Sequence, residues 1–350
     1  MLNVRAMLIR HILLAAALAA ATSFSSAAAA QDAGHGIAVV HHRFGESKHP
    51  ATNTTLAQLD AQIDHLKSGG FTVWPLIRIV EAIQAGAPLP DKTVAITIDD
   101  AYASVYRHAL PRLKAAGMTA TLFVATEPVD ASLSGYMSWD DVRQALDDGF
   151  DIGAHTVSHG HLADMALADA SREINYANTR FMAELGFVPA LFAYPFGEAS
   201  LALRSIVKTA GYTAAFGQHS GVLHASEDPF YLPRFALNEK YGDIARFRTL
   251  ASARPLRARE VTPRDMLLDA ANNPPAFGFT VDAAVGDLAA LACYASGAGK
   301  LRLEQLGRRI EARLPRRLGP GRHRINCTLP AGGGRWRWFG RQFYVPMPAG

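Results

Sequence analysis

Residues 94–100 read Val94-Ala95-Ile96-Thr97-Ile98-Asp99-Asp100, and this stretch decides the fold class. Five residues rich in β-branched side chains, with Pro90-Asp91 in front and two carboxylates behind, form the clearest strand of the chain. An apolar run that short and that continuous suits a strand buried on both faces. Two adjacent carboxylates at its end are expensive unless they meet a cation or water. The carboxyl end of a parallel strand is where α/β folds place their sites. Alone, Asp99-Asp100 reads better as an acidic turn.

Outward from this strand the pattern repeats. Ile37–Val40 reads as a strand, and Leu56, Leu59, Ile63 and Leu66 recur at helical spacing, with Thr54 or Thr55 as cap and Gly69-Gly70 as the stop. Phe71–Val73 is a short apolar run. Val105, Ala109 and Leu113 give the inner face of a helix ending at Gly117, and Thr119–Val124 is the next strand. Ser138 caps a helix with Asp141 three residues on, followed by a strand at Phe150–Ile152. Ile174, Ala177, Phe181 and Leu185 mark a longer helix, and Leu191–Tyr194 and Thr213–Phe216 complete the series. Strands alternating with helices across short connections predict a parallel sheet. Periodicity leaves open whether it closes into a barrel.

After about residue 250 the rhythm changes. Asn272-Asn273-Pro274-Pro275 is a strong breaker, and Phe277–Val281, Leu288–Tyr294, Lys300–Leu306, His323–Thr328 and Trp336–Val345 read as strands between turns. The expected organisation is a leader over 1–30, an α/β domain over 31–253, a linker over 254–275 and a small β-sandwich over 276–350. Trp336, Trp338, Phe339, Phe343 and Tyr344 read as sandwich core, with a sugar-stacking platform as the alternative.

Composition narrows the function classes. Of 350 residues, 49% are hydrophobic and 19% charged, the balance of a globular protein. Arg5, Arg10 and His11 precede an apolar run, Ile12–Ala21, and small residues from Ser25 to Ala30. This is the order of a secretory signal peptide, so export to the periplasm or beyond is expected. Cys293 and Cys327 are the two cysteines, and an oxidising compartment would join them. Residues 1–245 carry 17 Lys/Arg against 24 Asp/Glu, whereas residues 246–350 carry 18 against 7. A basic C-terminal part suits contact with anionic envelope polymers, while export without a recognisable binding motif argues against nucleic acid.

Two further segments carry chemistry. Asp151-Ile152-Gly153-Ala154-His155-Thr156-Val157-Ser158-His159 runs from a short strand into two histidines four apart, a spacing that joins both imidazoles on one side of a helical turn. His161 makes a third. Phe192-Ala193-Tyr194-Pro195-Phe196-Gly197 follows another strand and builds a tight loop able to present a backbone N–H to an oxyanion. Two histidines with one carboxylate make a three-ligand divalent site with open positions, and a second carboxylate is then a general base.

Thr-Ile-Asp-Asp, His-Thr-Val-Ser-His and Ala-Tyr-Pro-Phe-Gly, in this order, resemble the polysaccharide deacetylases (NodB-homology, carbohydrate esterase family four) over residues 36–240. His41-His42-Arg43-Phe44 and Leu232-Pro233-Arg234-Phe235 are similar to the branch acting on biofilm poly-N-acetylglucosamine. The resemblance implies a distorted (β/α)7 barrel, Asp99 as base, and Asp100, His155 and His159 on a divalent metal. It further implies an oxyanion N–H at Phe196, Arg234 against Asp99, and His42, Tyr194 and Pro195 at the substrate. Zinc is the default metal, and cobalt, nickel or iron suit the same donors. The implied activity is hydrolysis of N-acetyl groups from an amino-sugar polysaccharide. The family pattern departs at Ala193, where many members carry arginine, and in the lack of a Leu-x-His general acid. His219 is the candidate replacement. A carbohydrate-binding protein on a deacetylase scaffold, and a deformylase or deacetylase of a lipid-linked sugar, are the other readings.

Overall fold

The computed structural model describes residues 34–347, so the leader expected over 1–30 lies outside the described residues. A nine-stranded sheet is built from β1 (His35–His41), β2 (Thr72–Val73), β3 (Thr93–Asp99), β4 (Thr121–Val124), β5 (Asp151–Ala154), β6 (Leu191–Ala193), β7 (Ala214–Phe216), β8 (Leu223–His224) and β9 (Phe235–Ala236). β1, β3, β4, β5, β6 and β7 lie side by side in parallel. β9 pairs in parallel with β1, and the residues just before it bridge to β7 through Phe216 and Leu232. The segment Leu232–Ala236 thus links the sheet's two ends, making a seventh parallel element and curling the sheet into an irregular barrel. β1, β3, β4, β6 and β7 are buried along their length, which is why they read as unbroken apolar runs.

The helices follow from local chemistry. Thr55 caps Leu56–Ser68 through a capping box with Gln58, and Ser138 does the same for Trp139–Asp147 through Asp141. The expected helix over 105–117 forms with an irregularity. Val105–Ala109 is wound as a wider π turn before Leu110–Ala115. Pro111 supplies no N–H to the preceding turn, and the Arg112 guanidinium donates to the His108 carbonyl at 2.9 Å.

Beyond the barrel, two sheets face each other. One contains Arg254–Pro255, Trp336–Val345, Gly321–Pro330, Ala292–Ala295 and Gly299–Lys300, and the other Ala258–Thr262, Phe277–Val281, Arg309–Arg313 and Arg302–Leu306. Phe277 and Phe279 of the second meet Phe339 of the first at centroid distances of 6.3 and 4.9 Å. Residues 254–262, read from the sequence as the start of a linker, instead give each sheet a strand. Their alternation was too short to register as strand, and the partners that stabilise them lie far along the chain. Cys293 and Cys327 face each other across adjacent strands and are disulfide-bonded. Phe339 and Phe343 are core, Trp338 packs edge-on against Phe235 of the barrel at 5.1 Å, and Trp336 is exposed. Barrel and sandwich residues belong to one continuous apolar cluster.

Candidate active site

The chemistry-bearing residues gather where β3, β5 and β6 end. On a regular strand Asp99 and Asp100 would point to opposite faces. Asp99 closes β3, and Asp100 and Ala101 then adopt left-handed backbone, with φ of 77° and 54°. That turn brings both carboxylates to one place. Gly153 of β5 is required for close strand contact, since a Cβ there would stand 2.4 Å from the Phe123 ring.

His155 and His159 are also brought together, but by a different device from the helical turn expected. Residues 155–160 form an irregular loop with left-handed backbone at Thr156 (φ 67°) and His159 (φ 57°). The Thr156 hydroxyl accepts the His159 N–H at 3.1 Å, and the Glu173 carboxylate accepts the N–H groups of Val157 and Ser158 at 3.2 and 2.9 Å. Loop donors satisfied in this way compete with helix formation. Among the described residues, eight non-glycine positions have positive φ, and Asp100, Ala101, Thr156, His159 and Phe196 are five of them. Such strain persists where the surroundings enforce it, and here it collects around one set of side chains.

One ligand atom each of Asp100, His155 and His159 lie within 4.8 Å of one another. Asp100 Oδ1 is 3.4 Å from His155 Nε2 and 3.2 Å from His159 Nε2. His155 Nδ1 stands 2.7 Å from the Ala193 carbonyl, which only accepts, so Nδ1 carries the proton and Nε2 is left with its lone pair. Asp100 Oδ1 and His155 Nε2 are buried without a hydrogen-bond partner among the described residues. Two imidazole nitrogens and a carboxylate oxygen, converging and unsatisfied, fit a divalent cation of the zinc type.

Asp99 is fully buried beside this trio, its Oδ2 4.0 Å from His155 Nε2. Arg234, equally buried, grips it at both oxygens, Nη1 to Oδ1 at 2.7 Å and Nη2 to Oδ2 at 2.8 Å. Arg234 is itself fixed by the Gly217 carbonyl at 3.0 Å and the Thr97 hydroxyl at 3.1 Å. Burial opposes ionisation of Asp99, yet Arg234 and His155 outweigh it and hold the carboxyl below its usual range. Burial is likewise outweighed at Asp100, by His155, His42 and His159. Burial and the neighbouring His155 push the His159 imidazole down to about 4, so it presents a neutral ring.

The remaining residues named from sequence divide. His42 is half-buried, bears electrostatically on both aspartates, and has an unpartnered Nδ1. Phe196 has φ 57° in the turn Pro195–Gly197, and its ring is 4.6 Å from His159 and stacked on His161 at 4.0 Å. Tyr194 is instead packed in the core, its hydroxyl donating to the Phe230 carbonyl at 3.0 Å, and Pro195 is buried in the turn. His219 is fully buried, stacked on Tyr231 at 4.3 Å, and its charged neighbours are Arg341, Glu227, Arg204 and Arg324. Burial keeps its imidazole far below the ordinary range, and it takes no part in the cluster.

Sequence reading missed what the C-terminal strands contribute. Gln342 Nε2 donates to the Phe196 carbonyl at 2.9 Å, and Arg322 stands over the Phe196 ring at 5.2 Å. Glu198, almost wholly buried, lies 2.8 Å from His161 Nδ1, and Tyr344 donates its hydroxyl to Asp164 at 2.5 Å. Glu198 directly follows Pro-Phe-Gly and was findable. Gln342, some 146 positions from Phe196, gave no local signal.

Comparison with known proteins agrees with this geometry. Residues 86–215 match the family model described as polysaccharide deacetylase. The poly-beta-1,6-N-acetyl-D-glucosamine N-deacetylase of Escherichia coli K12 is 24% identical over 214 residues, covering 48% of this chain and 31% of that protein. The chain therefore spans about a third of that relative's length. In three dimensions it is similar to IcaB of Ammonifex degensii (TM-score 0.56, 21% identity, 63% of this chain and 97% of that one). The Streptococcus pyogenes deacetylase PplD, solved with acetate, is similar as well (TM-score 0.58, 18% identity, 62% and 98%). The matched segment, the barrel and the three motifs in order agree in their likeness to the polysaccharide deacetylase family.

Proposed function

We propose that this protein hydrolyses N-acetyl groups from an amino-sugar polysaccharide of the cell envelope, with poly-β-1,6-N-acetylglucosamine as the first polymer to test. The observation that carries it is the convergence of Asp100, His155 and His159 beside an ionised, arginine-clamped Asp99. Asp100, His155 and His159 would hold the metal, with zinc the natural choice for these donors. When bound, the metal supplies Lewis-acid polarisation of the acetamide carbonyl and lowers the pKa of water.

The chain's own residues account for the rest. Asp99 stays ionised because Arg234 neutralises it, and a carboxylate offers about four acceptor positions, of which the guanidinium takes two. It is therefore a base that takes a proton from water as that water attacks. Phe196 is the second residue of its turn, where a backbone N–H has no partner within the turn, and that N–H would donate to the carbonyl oxygen as charge develops. His42, which bears electrostatically on both aspartates, would meet the substrate at the mouth.

The test is acetate release from a partially acetylated polymer. Asp99→Asn should retain zinc and lose about a hundredfold or more of kcat, as removal of a general base does. His155→Ala should lose both zinc and activity. Parent-like turnover by Asp99→Asn would remove the base assignment, and undiminished zinc binding by His155→Ala would remove the metal assignment.

A further inference from the structure

A second concavity lies away from the cluster, where the helix Leu201–Thr209, the loop around residues 226–231 and the strand Ala258–Thr262 with the residues after it converge. Its volume is about 320 Å3, at the small end for a small-molecule site. Arg204, Ser226, Tyr231, Arg264 and Arg341 are among its lining residues, and none of Asp99, Asp100, His155 or His159 is.

Arg204 is only 9% exposed. Its Nη1 donates to Asp228 Oδ2 at 3.2 Å, and its guanidinium carbon stands 4.4 Å from the Tyr231 ring centroid. Its Nε and Nη2 are buried and meet no acceptor among the described residues. Those two N–H groups share one edge of the guanidinium. Arg180 uses the same edge in this chain to grip Asp130, with Nε and Nη2 at 2.9 and 2.8 Å from the carboxylate oxygens. Such a fork matches a carboxylate or phosphate in geometry and charge, and burying it unmade is costly.

The other charges around the pocket are largely matched. Arg341 pairs with Glu227 at 2.8 Å, Arg259 with Asp282 at 3.2 Å, and Glu260 accepts the Thr280 hydroxyl at 2.6 Å. Arg264 is exposed at the pocket and forms no ion pair among the described residues.

We propose that this pocket binds the oxyanion of an acidic sugar, a carboxylate or phosphate group held side-on by Nε and Nη2 of Arg204 with Arg264 at the mouth. It is a site separate from the hydrolytic one and stands whether or not the deacetylase reading does. Uronate and phosphate substituents share the recognised chemistry, and separate titrations tell them apart.

The experiment is calorimetric titration of the full chain with inorganic phosphate, with glucuronate and with uncharged glucose, at low ionic strength. Saturable binding of at least one anion, and none of glucose, is expected. Arg204→Lys keeps the charge but loses the fork, and should weaken binding by about tenfold or more, the equivalent of one charge-assisted hydrogen bond. Arg264→Glu alters an exposed position without touching the core, and should weaken it severalfold even if Arg204→Lys folds poorly. His155→Ala should bind the anion as the parent does. The proposal is overturned if neither anion saturates, if glucose binds equally, if both arginine variants, folded, match the parent, or if His155→Ala abolishes binding and so moves the anion to the metal cluster.

Discussion

At the scale of single residues, the molecule is governed by the cost of buried charge. Asp99 and Arg234 are both fully buried, so each is tolerable only through the other. Removing one partner strands an uncompensated charge, and Arg234→Ala is expected to destabilise the fold by about 3–5 kcal/mol in a denaturant titration. Asp99→Asn leaves a neutral amide against the guanidinium and should destabilise less than Arg234→Ala does. The trio Asp100, His155 and His159 obeys the same rule. Among the described residues Asp100 Oδ1 and His155 Nε2 have no hydrogen-bond partner, so an ion that satisfies them also stabilises the native state. Zinc at about a hundred times its Kd should add about 2.7 kcal/mol and raise Tm, a gain that chelator reverses and that His155→Ala does not show.

At the scale of elements, the site is made by how strands end. β3, β5 and β6 are each followed within three residues by left-handed backbone, at Asp100, Thr156 and Phe196, which turns side chains of neighbouring sequence toward a common point. Such turns need external support. The turn at Phe196 receives it from Gln342 on the last strand, and from Gly197, where a Cβ would stand 2.4 Å from the Gln218 nitrogen. Gln342 is buried, and its Oε1 also accepts from Arg324 Nε at 2.9 Å, so the amide is locked at both ends. Gln342→Ala should leave zinc content unchanged and lower kcat by about ten- to a hundredfold, because small displacements of a reacting geometry have effects of that size. A change confined to KM would show that the turn binds substrate without aiding the chemical step. By contrast, the capping box at Thr55 is a purely local device, and Thr55→Ala should cost about 1 kcal/mol of stability with kcat unchanged.

At the scale of the whole molecule, barrel and sandwich are tied by ion pairs as well as by apolar contact. Arg341 of the last strand meets Glu227 of a barrel loop at 2.8 Å, and Arg335 grips Asp91 from the turn before that strand. Burial disfavours the Glu227 anion, but Arg341 and His224 more than compensate and leave its pKa depressed. A carboxylate whose pKa is lowered by folding adds stability above its unfolded value of about 4.3, and that stability is lost as pH falls toward the folded value. Acid titration followed by near-ultraviolet circular dichroism should therefore show stability falling below about pH 4, with a shallower fall in Glu227→Gln. Among the described residues no helix is long and apolar enough to cross a membrane.

Local sequence determined a good deal of this protein. The strands β1 to β7 of the barrel, a cap at Thr54 or Thr55, the cap at Ser138 and the pairing of the two cysteines were legible, because burial period and capping chemistry act over a few residues. The three motifs carried the resemblance to the family. Only the tertiary structure decided that the sheet curls closed through residues 232–236, and that residues 254–262 are strand. It also showed that the two histidines meet through a left-handed loop, that the side chains of Tyr194 and His219 are buried, and that a glutamine on the last strand steadies the turn at Phe196. Each of these rests on partners tens to hundreds of positions distant, and contacts of that range leave no periodicity or spacing in the chain to read.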